Sequence, residues 1–209
     1  VSTMNHIGGF QVWKSDLSGK PPYRWTRVLA NGGYRGFLNE FGLKLTAFGD
    51  CLYVGTGIAG GGYDRVHSRG PAAAEVLRIW PDDSWDLVVG SARLTPDGMK
   101  YPTSGMGPGF DNFLNGYMWY LEVHEGWLYV GTFNGAAFFP FKPHSLQSQA
   151  SMKSLNDYIQ TTPADSIEEF LHHYGGCGLW RTRDGERFYP ITRNGFENPF
   201  NMGIRRMVS

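Results

Sequence analysis

Short apolar runs separated by clusters of glycine, asparagine and aspartate dominate the chain. The clearest run, Leu52-Tyr53-Val54-Gly55-Thr56, returns as Leu128-Tyr129-Val130-Gly131-Thr132, each after a turn pair, Gly49-Asp50 and Glu125-Gly126. A further copy, Val1-Ser2-Thr3-Met4-Asn5, matches Val130-Gly131-Thr132-Phe133-Asn134. Runs of this length, rich in β-branched and aromatic residues and bounded by turn formers, predict strands. Their near-continuous apolar character predicts burial on both faces rather than one.

Other elements follow each anchor in fixed order. Val12-Trp13-Lys14-Ser15, Val76-Leu77-Arg78-Ile79 and Leu179-Trp180-Arg181-Thr182 form one set. An aromatic followed three residues later by a β-branched residue forms the next: Trp25/Val28, Trp85/Val88 and Phe188/Ile191. Gly-Phe-x-Asn then recurs at Gly36 to Asn39, Gly109 to Asn112 and Gly195 to Asn198, with asparagines suited to tying a loop backbone. An apolar strand closes each set, at Leu43 to Phe48, Tyr117 to Val123 and Ile204 to Val208.

Strand quartets in fixed order predict an all-β fold, a β-propeller of about three four-stranded blades. One such sheet cannot bury both of its faces and must pack against the next. Residues 1–209 read as a single propeller segment, an arc of a larger propeller, running from strand B to strand A. Blade breaks fall near 42 and 116, and a small helical insertion occupies 140–175. In this scheme A is the Leu43, Tyr117 and Ile204 strand, B the Leu-Tyr-Val anchor, C the Trp13, Leu77 and Trp180 strand, and D the Trp25, Trp85 and Phe188 strand. The tryptophans Trp13, Trp25, Trp85 and Trp180 are expected to fill the gaps between blades.

Antiparallel alternation puts the A–B and C–D turns on one face and the B–C and D–A connections on the other. The large insertions are B–C (Gly57 to Ala73, Phe133 to Gly176) or D–A (Gly90 to Gly116), so elaboration collects on one face. Long loops on a rigid scaffold are where binding usually sits. The longest insertion predicts helices at Ser151 to Ile159 and Ser166 to His173. The polar loop Asp64-Arg65-Val66-His67-Ser68-Arg69 supplies ligand-binding candidates Asp64, Arg65, His67 and Arg69, and Asp111 adds another.

Composition narrows the partners. Nineteen basic residues balance nineteen acidic ones, which removes any broad electrostatic case for nucleic acid or an anionic membrane. No stretch approaches the roughly 20 apolar residues of a membrane span. Cys51 and Cys177 are too few for a disulfide framework and read as free thiols. No phosphate loop, nucleotide fingerprint or zinc-type cysteine pair occurs, and adjacent His172-His173 lacks the i,i+4 spacing of a metal-binding helix. Neither a cofactor nor a metal is expected. The catalytic candidates, Glu122, Arg205 and Tyr117, lie on A strands that could face a central channel.

Thr182-Arg183-Asp184-Gly185-Glu186-Arg187-Phe188 resembles the Asp-box turn of sialidase-type (BNR) propellers, one residue short between aspartate and aromatic. With the Leu-Tyr-Val-Gly-Thr anchors and Asn194-Gly195-Phe196-Glu197-Asn198-Pro199, the chain is similar to uncharacterised, often exported, bacterial propeller proteins. The resemblance implies a propeller fold and an extracellular or periplasmic location, and it brings no assigned catalytic residues. The expectation is a non-catalytic scaffold that binds a protein partner or a glycan through its long B–C and D–A loops. The alternative is a sialidase-like glycoside hydrolase or lyase with an axial active site.

Overall fold

Most of the apolar runs become strands, and the turn pairs between them close hairpins. A computed structural model describes residues 1–141 and 164–208. Its strands are β1 (Val12–Asp16), β2 (Arg24–Leu29), β3 (Phe41–Phe48), β4 (Cys51–Gly57), β5 (Val76–Ile79) and β6 (Trp85–Val89). Next come β7 (Arg93–Thr95), β8 (Gly98–Lys100), β9 (Asn115–His124), β10 (Trp127–Asn134), β11 (Leu179–Thr182) and β12 (Tyr189–Thr192). A helix, α1 (Ala164–Tyr174), precedes β11 and overlaps the predicted Ser166 to His173. The other expected helix, Ser151 to Ile159, lies outside the described residues. Glu125 and Gly126, at φ +48° and +73°, give the β9–β10 hairpin the two positive φ angles of a type I′ turn.

The fold is mainly antiparallel β. Strands β3 to β6 and β9 to β12 form one curled eight-stranded sheet. Within it, β3-β4-β5-β6 and β9-β10-β11-β12 are each a meander of consecutive hairpins, and a single residue pair, Gly57 with Tyr117, couples them. Similar isolated pairs join Met4 to Phe41 and Phe133 to Gly203. The β1–β2 ribbon extends through Ser2, which bridges Val12.

Alternation along β4 to β6 sends side chains into two separate cores. Val54, Leu77, Ile79 and Leu87 pack with Phe10, Val12 and Leu29 of the first ribbon. Tyr53, Val76 and Val88 pack with Met118, Leu121 and Trp180 from β9 and β11. The middle meander is therefore sealed on both faces, which accounts for its unbroken apolar character. The glycine of the Leu-Tyr-Val-Gly-Thr anchor allows the close approach. A Cβ on Gly55 would stand 2.6 Å from the Met118 carbonyl, and one on Gly131 would stand 2.7 Å from Ile204 Cβ.

One hydrogen-bond set occurs at three places. The N–H groups of Gln11, Glu75 and Gly178 donate to the hydroxyls of Thr3, Thr56 and Thr132 at 2.9, 2.8 and 2.7 Å. The carbonyls of Phe10, Ala74 and Cys177 accept from Gly32, Gly109 and Gly195 at 2.8, 2.7 and 2.9 Å. Their N–H groups donate to the carbonyls of Asn39, Asn115 and Asn201 at 2.9, 2.9 and 2.7 Å. Each asparagine returns its side-chain amide to the carbonyl of Gly32, Gly109 or Gly195, at 2.9, 2.8 and 2.9 Å.

This set corrects the expected register. Gly36 corresponds to Asn112 and Asn198, not to Gly109 and Gly195, because Asn39 bonds the Gly36 carbonyl as Asn115 and Asn201 bond those of Asn112 and Asn198. The true counterpart of Gly109-Phe110-Asp111 is Gly32-Gly33-Tyr34, and these residues share φ angles between +56° and +69°. An extra residue before Asn39 lets a chance Gly-Phe-x-Asn match four positions later masquerade as the motif.

Two further expectations fail. Ile204 to Val208 forms no strand; its ladder is limited to the Phe133–Gly203 pair and an Ile204 N–H bond to the Thr132 carbonyl, with no second strand beside it among the described residues. Trp180 and Trp85 are buried as expected, but Trp25 is 49% exposed because β2 has no meander against its outer side among the described residues. Cys51 and Cys177 are free, buried thiols, and burial pushes both pKa values up. Among the described residues, no helix is long and apolar enough to cross a membrane.

Candidate functional site

The β4–β5 and β10–β11 connections, together with those before β3 and β9, leave the sheet at the same end, opposite the tight β3–β4 and β9–β10 turns. Two polar constellations lie at this long-loop end.

The first joins side chains from three segments. His6 sits in the turn after Asn5, whose side-chain oxygen accepts the Ile7 and Gly8 N–H groups at 3.0 and 2.9 Å. Glu40 is the residue immediately before β3. Asp64 anchors the loop it opens: its backbone exchanges two hydrogen bonds with Arg69 at 2.9 and 3.0 Å, and its Oδ1 accepts the Val66 and His67 N–H groups at 2.9 and 3.2 Å. Asp64 Oδ2 lies 2.5 Å from His67 Nδ1 and 3.8 Å from His6 Nδ1. Glu40 Oε2 accepts the Ala59 N–H at 2.8 Å and lies 3.2 Å from His6 Nδ1. The imidazoles of His6 and His67 stack with centroids 4.9 Å apart.

Both carboxylates are buried, and their pKa values are pushed apart. Burial raises Glu40, reinforced by Asp64, against weaker opposition from the Ala59 N–H and His6. Burial also pushes Asp64 upward, but His67, the Glu40 carboxyl and the Val66 and His67 N–H groups together hold it down at about 2. Like charges this close oppose each other's ionisation, which is why Asp64 adds to the rise at Glu40. Glu40 Oε1 is buried without a hydrogen-bond partner, as is His6 Nδ1. Donor atoms of His6, Glu40, Asp64 and His67 all lie within 4.8 Å of one another, and these residues could hold a metal ion.

The second constellation is a cleft of about 250 Å³ beneath α1, lined by Asp111, Asn112, Asn115, His173, Trp180 and Arg193 among others. Phe110 stacks on Trp180 with centroids 4.6 Å apart, and the Arg193 guanidinium lies 4.8 Å from the Trp180 ring centre. Trp180 is 2% exposed, yet its indole N–H has no hydrogen-bond partner among the described residues. Asp111 borders the cleft at φ +65° and accepts the Gly107 N–H at 2.8 Å.

The structure thus brings Asp64 and His67 together and places Asp111 at the other site. Arg65 is exposed, whereas Arg69 lays its guanidinium 4.7 Å over Phe37 with one buried nitrogen unpartnered. Tyr117 and Glu122 lie towards opposite ends of β9, paired with Phe133 and Tyr129, a separation of about 16 Å at strand rise. Tyr117 Oη accepts the Gly61 N–H at 2.8 Å, and Arg205 lies 5.9 Å from the Trp119 ring centre. His6 and Glu40 escape sequence reading because each stands alone, far from Asp64 and His67 along the chain. The only available signal was a glutamate set between Leu38-Asn39 and an apolar strand.

The Thr182 to Phe188 turn is closed around its aspartate. Asp184 Oδ1 accepts the Thr182 hydroxyl and the Glu186 and Arg187 N–H groups at 3.0, 2.9 and 2.8 Å. It lies at the β11–β12 turn, away from both constellations. Comparison of the chain with family models, curated proteins and solved structures returns no match.

Proposed function

We propose that this chain is an arc of a β-propeller from an exported binding module, which captures a carbohydrate-like ligand at its long-loop end. The blade reading is supported by the thrice-recurring hydrogen-bond set, by single-pair joins between meanders, and by the two-sided burial of β4 to β6. The exported location rests on the resemblance of the repeated strand motifs alone.

The observation that carries the binding reading is the buried Trp180 indole N–H, without a hydrogen-bond partner among the described residues, at the edge of the cleft. A buried donor without an acceptor costs about 1–3 kcal/mol, and a ligand hydroxyl would relieve that cost. An aromatic floor rimmed by amide, carboxylate and guanidinium groups suits a sugar, which presents apolar C–H faces and hydroxyls together. At about 250 Å³ the cleft is below the usual range for drug-sized ligands, roughly 300–1,000 Å³, and fits a single saccharide unit.

The test is a glycan array probed with the protein and with Trp180→Phe, which keeps an aromatic ring on Phe110 but removes the N–H. Asp111→Ala and Arg193→Ala, at exposed positions, serve as companions. Saccharide binding that weakens in all of these while circular dichroism stays native is the expected outcome. Binding unaffected by all three substitutions would remove the cleft as the site. The hydrolase or lyase alternative requires Glu122, Arg205 and Tyr117 to converge, and the separation of Tyr117 from Glu122 along β9 gives it no support.

A further inference from the structure

We infer that His6, Glu40, Asp64 and His67 form a binding site for a divalent transition-metal ion of the zinc type. This goes beyond the glycan reading and does not rest on it, because the cluster lies in different segments from the cleft.

The donor set selects the metal class. Hard cations such as Ca²⁺ and Mg²⁺ take oxygen ligands, whereas imidazole suits zinc, copper, iron and nickel. Two imidazoles with two carboxylates make a mixed nitrogen–oxygen set typical of zinc. The arrangement without a cation is costly. Two carboxylates converge in a buried space, and among the described residues no lysine or arginine pairs with either.

The independent sign of a missing partner is Glu40 itself. Its side chain is 0% exposed, one oxygen is committed to the Ala59 N–H, and Oε1 has no partner. His6 Nδ1, 3.2 Å from Glu40 Oε2, is likewise buried and makes no hydrogen bond among the described residues. A cation would satisfy both atoms. Donors now spread over 4.8 Å would close towards the spacing of about 3.4 Å set by metal–ligand bonds of about 2.0–2.2 Å. Such an ion would pin the Asn5–His6 turn, the start of β3 and the Asp64–Arg69 loop together.

The test is calorimetric titration of the full chain, freed of metal with chelator, with Zn²⁺, and separately with Ca²⁺ and Mg²⁺. Co²⁺ serves as a spectroscopic probe. One Zn²⁺ per chain, little response to Ca²⁺ or Mg²⁺, and a visible ligand-field band with Co²⁺ are expected. His67 is 36% exposed in its side chain, so His67→Ala should fold normally and bind Zn²⁺ at least about tenfold more weakly. Glu40→Gln should do the same. His172→Ala, on the exposed face of α1, should leave binding unchanged. Absence of stoichiometric Zn²⁺ binding, or affinity that survives His6→Ala/His67→Ala, would overturn the proposal.

Discussion

Two gaps in this molecule share a backbone frame and are filled in opposite ways. In the first, between the Gly32–Asn39 turn and β5, Glu75 is fully buried and held by Arg93 at 2.9 Å, by Arg35 at 3.5 Å and by the Asn39 amide at 2.8 Å. In the second, between the Gly109–Asn115 turn and β11, the position of Glu75 is taken by Gly178, and a cleft remains. Large and small residues also trade places. Gly33 faces Leu77 in the first gap, where Phe110 stacks on Trp180 in the second. The hydrogen-bonded frame sets where a gap lies, and one side chain decides whether it is a packed ion cluster or an accessible site.

The sharpest way to break this contrast is Glu75→Ala. It strands two guanidinium groups, each at most 12% exposed, and should cost about 3–5 kcal/mol in denaturant unfolding. A loss below about 1 kcal/mol would mean that the cluster contributes little. Asn39→Ala should follow at about 2–3 kcal/mol, since that amide bonds Gly32, Glu75 and Thr56.

Gly178→Ala probes the open gap. Its Cβ would stand 2.8 Å from Trp180 Nε1, so the indole must move, at about 1–3 kcal/mol, and saccharide binding should fall with it. Asn201→Ala, the exposed counterpart of Asn39, should cost less than about 1 kcal/mol.

The smallest effect concerns acid. Burial pushes Asp86 up, but the Trp80 indole N–H and Arg78 outweigh it and hold its pKa below the ordinary value. A lowered carboxylate contributes stability that is complete above its unfolded pKa of about 3.9 and is lost as pH falls through the folded value. Unfolding midpoints measured downward from pH 5 should therefore decline, and Asp86→Asn should flatten that decline. An identical profile in the variant would exclude Asp86 as a contributor.

Much of the strand order was legible because periodicity and turn chemistry are local. Leu52 to Thr56 and Leu128 to Thr132 read as strands from their own residues, and Gly49-Asp50 and Glu125-Gly126 marked the hairpins. The turn register was not legible. The equivalence of Asn39 with Asn115 and Asn201 resides in bonds to Phe10, Ala74 and Cys177, whereas the visible Gly-Phe-x-Asn string misaligned one case in three. The β7–β8 ribbon, from which Arg93 reaches Glu75, has too little apolar pattern to announce itself. Asp64 and His67 were visible as a polar loop, but His6 and Glu40 join them through tertiary contacts such as the Met4–Phe41 pair, the Asn5 N–H bond to the Glu40 carbonyl and the Ala59 N–H bond to the Glu40 carboxylate. Trp180 was read as filler because nothing local shows that its N–H lacks an acceptor.

Residue-resolved amide hydrogen exchange bears most directly on the shared frame. The N–H groups of Gly32 and Phe10 in the first gap, and of Gly109 and Ala74 in the second, should exchange slowly and to a similar degree. Glu75→Ala should accelerate the first pair alone. Protection of only one pair in the native protein, or equal acceleration of both pairs by that substitution, would contradict a common backbone frame with independent fillings.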